Sequence, residues 1–255
     1  MQEPYSTRHL VCPVCDGGAS KEKSFALTVE PDSIKFICHR ASCGVRGVIE
    51  NSGVRDKVIK PKSKIRKYDG VLESLPPDVY DFLTATYCLE DTHLEQLGAA
   101  WAPERAMVKY DVTDYRGKHK GIILRSYGDN RRKQVLTYKA TEDDTFLAWM
   151  NCSSGRPNDL VIVEDIVSAA RASDYMQSVA LLGTHMSKED VLEIAQFVKS
   201  AGIENVLLAL DADAYNKALE LKNRYQLFFP MQVVKLDKDI KNMEPEEIWQ
   251  TLYKV

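Results

Sequence analysis

Several things are missing from this sequence. No run of about 18 apolar residues occurs in its 255 residues, so no membrane span is expected. The first stretch, MQEPYSTRHL, has no apolar core segment. A secretory signal is therefore not expected, and a cytoplasmic location is. Disulfides are uncommon in that compartment, so the six cysteines call for another use. No Gly-x-x-x-x-Gly-Lys-Ser/Thr occurs, which excludes a P-loop motor on this chain. An excess of charge of one sign is also lacking. The net charge is -3, from 34 Lys/Arg and 37 Asp/Glu. The distribution is less even than the total. Residues 1–157 carry 24 Lys/Arg and 21 Asp/Glu, net +3, whereas residues 158–255 carry 10 and 16, net -6. A basic front and an acidic back suit a chain that holds a polyanion in one part and metal ions in another. Hydrophobic residues make up 44%, enough for a real core in one large or two to three small domains.

The cysteines are clustered. Cys12 and Cys15 form a C-P-V-C pair, and Cys38 and Cys43 follow in FICHRASCGVRG, with 22 residues between the pairs. Two close pairs at that separation suit a tetrahedral zinc ribbon in which a short hairpin brings two knuckles together. SFALTVE and SIKFICH, flanking Pro31-Asp32, alternate well enough to be that hairpin. Gly44 and Gly47 would let the second knuckle turn. Four residues between Cys38 and Cys43 is looser than the usual two, so His39 or His9 could replace one thiolate. Cys88 and Cys152 stand alone and read as small core residues.

The basic, apolar-poor stretch RDKVIKPKSKIRKY reads as a linker. From Ser74, SLPPDVYDFLTATYCLEDTHLEQLGAAWAPE reads as two short helices, the second capped by Asp91 or Thr92. AMVKYDVTDYRGKHKGIILRSYG reads as a hairpin turning at Arg116-Gly117. Arg125, Arg131, Arg132, Lys133 and Lys139 follow, interleaved with Tyr127 and Tyr138. Such a pattern can hold phosphates and stack bases, or be a solvated sheet face.

From Asn158 the chain alternates strand and helix. DLVIVE ends in Glu164, NVLLALDAD ends in Asp211 and Asp213, and MQVVKLDKD ends in Asp237 and Asp239. SVALLGTH is a further strand. SKEDVLEIAQFVKSAG opens on a Ser187–Asp190 capping box and stops at Gly202. Such a series predicts a parallel sheet covered by helices. Ligands of open α/β sheets lie beyond the carboxyl ends of the strands, so these acids should share one rim. In an extended Asp-x-Asp both side chains point the same way, and oxygen-only ligands favour Mg²⁺ or Mn²⁺. Helix capping is the ordinary use of any one of these acids.

VIVEDIVSA, ALLGTH, LLALDADA and KLDKD resemble the motifs of a TOPRIM domain. Preceded by a zinc ribbon and a basic mixed domain, the chain from about residue 10 to 245 resembles a DNA primase of the bacterial and phage type. The fold expected is α/β: a zinc ribbon of β structure at 1–50, a basic linker at 51–68, a mixed α+β subdomain of the polymerase core at 69–157, and a TOPRIM-like parallel sheet flanked by helices at 158–255. The resemblance implies synthesis of short RNA primers on single-stranded DNA for replication, by metal-dependent nucleotidyl transfer from NTPs. It implies a structural Zn²⁺ on Cys12, Cys15, Cys38 and Cys43, and a catalytic Mg²⁺ or Mn²⁺ on Glu164, Asp211, Asp213 and Asp239. Glu164, Asp211 and Asp213 would be catalytic. Arg125, Arg131, Arg132, Lys133 and Lys139 would hold nucleotide and template. A replicative helicase, on another chain or on a further C-terminal part, is the expected partner, and the host cytoplasm the location if the chain is phage-encoded. The sequence departs from that pattern in three places. Asp165 stands where Gly usually follows the Glu, Ser168 where another acid is common, and Asn216 where Gly often follows Asp-x-Asp. A TOPRIM nuclease and a non-catalytic zinc-ribbon DNA-binding adaptor are the alternative readings.

Overall fold

FALTVE and SIKFIC pair as the sequence suggests, although neither alternates strictly: burial concentrates at the Phe25–Cys38 end, where the two strands face the small core. The computed structural model describes residues 5–30, 33–40, 42–50, 67–128, 135–140 and 145–253. Nearly all of the expected 51–68 linker lies outside these residues, as do Arg131, Arg132 and Lys133. The chain divides into two compact units, Met1–Lys64 and Ile65–Val255.

The first unit is an antiparallel sheet in the order β1-β2-β3-β4, from β1 (Tyr5–Leu10), β2 (Phe25–Glu30), β3 (Ser33–Cys38) and β4 (Arg46–Glu50). β2 and β3 form the hairpin, with Phe25 opposite Cys38 and Glu30 opposite Ser33. The buried core is very small: Cys12, Phe25, Cys38 and Val45. Gly44 does turn with positive φ (52°). Gly47 has another reason to be glycine. It lies in β4 opposite Phe36, and a Cβ there would come within 2.5 Å of the Phe36 ring.

The second unit holds two sheets. α1 (Pro77–Tyr87) and α2 (Asp91–Gln96) precede an antiparallel sheet of β5 (Ala100–Ala102), β6 (Met107–Thr113), β7 (His119–Arg125) and β8 (Val135–Lys139). Pro76, not Ser74, precedes the first helix. The second is capped by Glu90 rather than Asp91 or Thr92, in a box closed by the His93 ring. The β6–β7 turn is where expected: Gly117 has φ 77°, and the Asp114 carboxylate accepts from the Arg116 and Lys118 amides.

The other sheet comprises β9 (Ala148–Met150), β10 (Arg156–Val163), β11 (Met176–Ala180), β12 (Asn205–Ala209) and β13 (Gln232–Val233), in the order β13-β12-β10-β11-β9. All pairs are parallel except β9 with β11. The helices are α3 (Ile166–Ala172), α4 (Lys188–Ala201), α5 (Tyr215–Tyr225) and α6 (Pro245–Tyr253). Strand alternation sorts the core into two layers. Val161, Val163, Leu207 and Ala209 pack with α3 and α6, while Leu160, Ile162, Val206 and Leu208 pack with α4 and α5. The capping box at Ser187 and the left-handed stop at Gly202 are both present.

The last strand is shorter than MQVVKLDKD suggests. Past the Val234 amide, which donates to Leu208, the chain leaves the sheet. Val234, Leu236 and Ile240 turn into the core while Lys235, Asp237 and Lys238 face solvent. A 3-10 turn, Ile240–Asn242, then leads to α6. Arg171, among the largest fully buried side chains, ties this segment down by donating to the carbonyls of Tyr87 (2.6 Å) and Met243 (2.9 Å).

Candidate metal centre and acidic rim

The four paired cysteines converge. Their Sγ atoms all lie within 4.8 Å of one another, with Cys12–Cys43 at 3.9 Å and Cys15–Cys38 at 4.0 Å. Four thiolates about 2.3 Å from one tetrahedral ion would be spaced about 3.8 Å apart, so the set fits zinc. The knuckles are made by local turns: the Asp16 amide donates to Cys12, and the Cys43 and Gly44 amides to Arg40. Neither His9 nor His39 joins the set; both are exposed. Burial works against ionising Cys15, yet the Gly17 amide and the other thiols bring it down to about 7.

The acids gather at the carboxyl ends of adjacent parallel strands, as open-sheet topology requires. Glu164 follows β10, Asp211 follows β12 two residues on, and Asp239 lies beyond β13. Their surroundings differ. Glu164 Oε2 is buried without a hydrogen-bond partner. Burial, then the charges of Asp211, Asp165 and Asp213, raise the Glu164 carboxyl to about 7. Asp211 is raised too, because its burial outweighs its contact with Lys241. Asp213 is exposed in a 3-10 turn, Ala212–Ala214. The strand has ended by then, so its period of two does not set how Asp211 and Asp213 point. Among the described residues, only the cysteines form a set of three or more metal-capable groups within 4.8 Å.

A lysine explains the looser spacing. Lys241 Nζ lies 2.8 Å from Asp165, 2.8 Å from Asp211 and 3.0 Å from Asp239. Its side chain is only 9% exposed. Burial would drain its proton, but Asp165 and Asp211 hold its pKa above the usual lysine range. Asp165 is the second residue whose part the motif reading left out. Its carboxylate caps α3 by accepting from the amides of Val167 (2.9 Å) and Ser168 (3.2 Å), and it accepts from the Ser168 hydroxyl at 3.0 Å. It also pairs with Arg125 at 3.0 Å. Burial opposes its ionisation, yet Arg125 and Lys241 drive it down to about 2. Asp239 is lowered despite burial, by the Ala212 amide and Lys241. Asp165 was visible in the sequence as a departure after Glu164. Lys241 carried no signal beyond its place two residues past the last acid.

The two described basic candidates separate. Arg125 ends β7 at the rim, on Asp165. Lys139 pairs opposite Gly121, four residues back along β7, or about 13 Å away. Its ammonium lies 5.4 Å from the Phe146 ring centre and borders a 270 Å³ cavity shared with Lys67, Tyr68, His119 and Tyr138. The interleaved tyrosines pack on protein rings: Tyr127 on Phe82 and Trp101, and Tyr138 on Tyr68.

No family model matches the sequence. Over 81 residues the chain is 36% identical to the Twinkle homolog protein, chloroplastic/mitochondrial, and 38% to the Primase homolog protein, both of Arabidopsis thaliana. Each match covers 30% of this chain, and spans 11% and 24% of those proteins. The crystal structure of the Aquifex aeolicus primase (zinc-binding and RNA polymerase domains) superposes with a TM-score of 0.50 at 14% identity, over 69% of this chain and 53% of that one. The fold is therefore like that of a bacterial primase, with antiparallel strands and a four-cysteine cluster in the first unit. Among the described residues, no helix is long and apolar enough to cross a membrane.

Proposed function

We propose that this chain is a DNA primase, a DNA-directed RNA polymerase that makes short RNA primers on single-stranded DNA. One observation carries the reading: in a primase-like fold, acids after three successive parallel strands meet at one rim, around a buried carboxylate oxygen with no partner. The unpartnered Glu164 Oε2, in a carboxyl raised to about 7 by burial and its acidic neighbours, fits a place for a cation. The donor set is all oxygen, which suits Mg²⁺ or Mn²⁺. Glu164, Asp211 and Asp213 would hold the ion, and Asp239 supports them from the lysine side. A divalent ion bound there lowers the pKa of a 3'-hydroxyl and neutralises phosphate charge.

The chain's own residues do the rest. The 3'-oxygen attacks the α-phosphorus of an NTP, the bond to the β-phosphate oxygen breaks, and pyrophosphate leaves. Glu164 would serve either as a further ligand of the ion or as the base that takes the hydroxyl proton. Arg125 stands at the rim with a guanidinium suited to phosphate. Lys139, farther along the sheet, would hold template, together with Arg131, Arg132 and Lys133. The cysteine unit would bind zinc and read a short template sequence, and a replicative helicase would bring the chain to its template. Incorporation of labelled NTPs on random single-stranded DNA tests the reading, with product expected only when divalent ion is present. Cutting of DNA in Mg²⁺ without NTPs, and no incorporation, would replace it with a nuclease.

A further inference from the structure

A rim of five carboxylates, Glu164, Asp165, Asp211, Asp213 and Asp239, needs positive charge to offset its repulsion, and this one already has some. Lys241 is held on a 3-10 turn between the two buried residues Ile240 and Met243, and its next turn is fixed by Arg171 through the Met243 carbonyl. Its ammonium meets three carboxylates at 2.8–3.0 Å, one from each of three different segments. Asp239 has no oxygen left over: Oδ1 accepts from the Ala212 amide at 3.1 Å and Oδ2 faces Lys241. Asp165 is likewise filled by Arg125, Lys241, Ser168 and the α3 amides. The buried carboxylate oxygen without a partner among the described residues is Glu164 Oε2, whose carboxyl feels the charges of Asp211 and Asp213.

We propose that the Lys241 ammonium is a built-in cation that takes the place of one divalent ion, so that the rim loads a single ion on the Glu164–Asp211–Asp213 side. Asp211 is the shared wall, facing Lys241 through Oδ2. Asp165 and Asp239 then serve as positioning residues that hold the lysine rather than a metal. The inference deepens the primase reading and rests on it for the identity of the rim. It gives the two departures around Glu164 a common purpose: the charge absent at Ser168 reappears at Asp165, where it can reach Lys241.

The test counts ions without DNA or NTPs. Mn²⁺ bound to zinc-loaded full-length protein is measured by loss of the free-ion EPR signal at physiological salt. The wild type should bind one Mn²⁺ tightly, and Lys241→Met two. Without added ion, Lys241→Met should melt about 10 °C lower, since three carboxylates lose their partner, and Mn²⁺ should restore most of that. Lys241→Arg keeps the charge and should stay at one. Two tight ions on the wild type would overturn the proposal, and this count needs no variant to fold. One ion on folded Lys241→Met would overturn it as well. Because no synthesis is assayed, a one-to-two change without any primer activity would leave the lysine's role standing and remove the primase reading. Primer synthesis with an unchanged count would do the reverse.

Discussion

The cysteine cluster and the acidic rim both bring like-charged ligands together, but they stand in very different surroundings. In the first unit the clustered cysteines are themselves part of the core. Among the described residues, Cys12 and Cys38 are two of the four buried in its core cluster. In the second unit the rim crowns a sheet packed on both faces by large apolar layers, and Lys241 and Arg125 already offset much of its charge. Under the proposed function, the difference teaches what each ion would be for. A unit too small to bury enough apolar surface depends on its metal to fold. A rim carried on a finished core would be free to use an ion for chemistry, because the apolar layers below it do not depend on one.

Removing zinc is the hardest blow to that contrast and should have the largest effect. Metal analysis should find about one zinc per chain. Chelation, or Cys12→Ser or Cys38→Ser, should abolish the order of the first unit, since structural zinc supplies on the order of 10 kcal/mol in small modules. NMR would show strand signals of the first unit collapsing while the second keeps its own melting transition. Retention of both zinc and strand signals by the serine variants would sink the ligand assignment. Primer synthesis on the preferred template should suffer before total incorporation does.

Next comes the rim. Asp211→Asn and Asp213→Asn should cut primer synthesis by about a hundredfold or more, because a metal-stabilised transition state is worth several kcal/mol. Neither should unfold the unit. Asp211 is disfavoured as an anion by its burial, so an amide there should be tolerated. A well-folded double variant that still makes primer would end the metal-site reading and favour a DNA-binding adaptor.

Glu164 gives a smaller effect of opposite sign. Its carboxyl titrates near 7 in the fold and near 4.5 when unfolded. Between those values the native protein holds a proton that the unfolded chain has released. Stability is therefore full below about pH 4.5 and declines as pH rises to 7, by about 2–3 kcal/mol. Glu164→Gln should remove that decline, melt several degrees higher than wild type at pH 8 in Mg²⁺-free buffer with zinc retained, and lose synthesis. Mg²⁺ should flatten the wild-type curve in the same range. A variant that melts lower at pH 8 would show that the buried oxygen is satisfied after all.

The sequence was most legible where one local rule sufficed. The knuckle cysteines, the Ser187 capping box, the Gly202 stop and the parallel strands each follow from spacing alone. It was least legible where partners come from distant segments. Lys241 meets Asp165 across 76 residues and Asp211 across 30, and nothing local marks it. The Asp-x-Asp pair does not follow strand alternation, because β12 ends at Ala209 and a 3-10 turn starts at Ala212, before Asp213 is reached. The last strand was drawn too long because Val234, Leu236 and Ile240 keep the spacing of a buried face after the chain has left the sheet. Nothing local foretold that the tyrosines between the basic residues pack on protein rings, since their partners Phe82, Trp101 and Tyr68 lie far back in the chain.

The smallest effect sharpens the comparison from the basic side. Arg125 is a poor probe of template contacts because Asp165 already holds it, and its loss would disturb the rim. Lys139 is the cleaner test. Its ammonium lies over the Phe146 ring, a contact worth about 1 kcal/mol, so Lys139→Ala should change the melting temperature only slightly. Its loss should matter to a polyanion. The cavity beside it is lined by Lys67 and His119 as well as by Tyr68 and Tyr138, so the cationic surface there is shared. Removal of one of several phosphate contacts weakens binding about equally on all sequences. Affinity for single-stranded DNA should therefore fall only a few-fold, and the slope of log affinity against log salt should become shallower by about 0.7, the value for one phosphate contact on a single strand. Zinc content, Mn²⁺ count and the pH dependence of stability should all match wild type. Unchanged affinity with an unchanged salt slope would take Lys139 out of the nucleic-acid interface and leave this end of the sheet a solvated face.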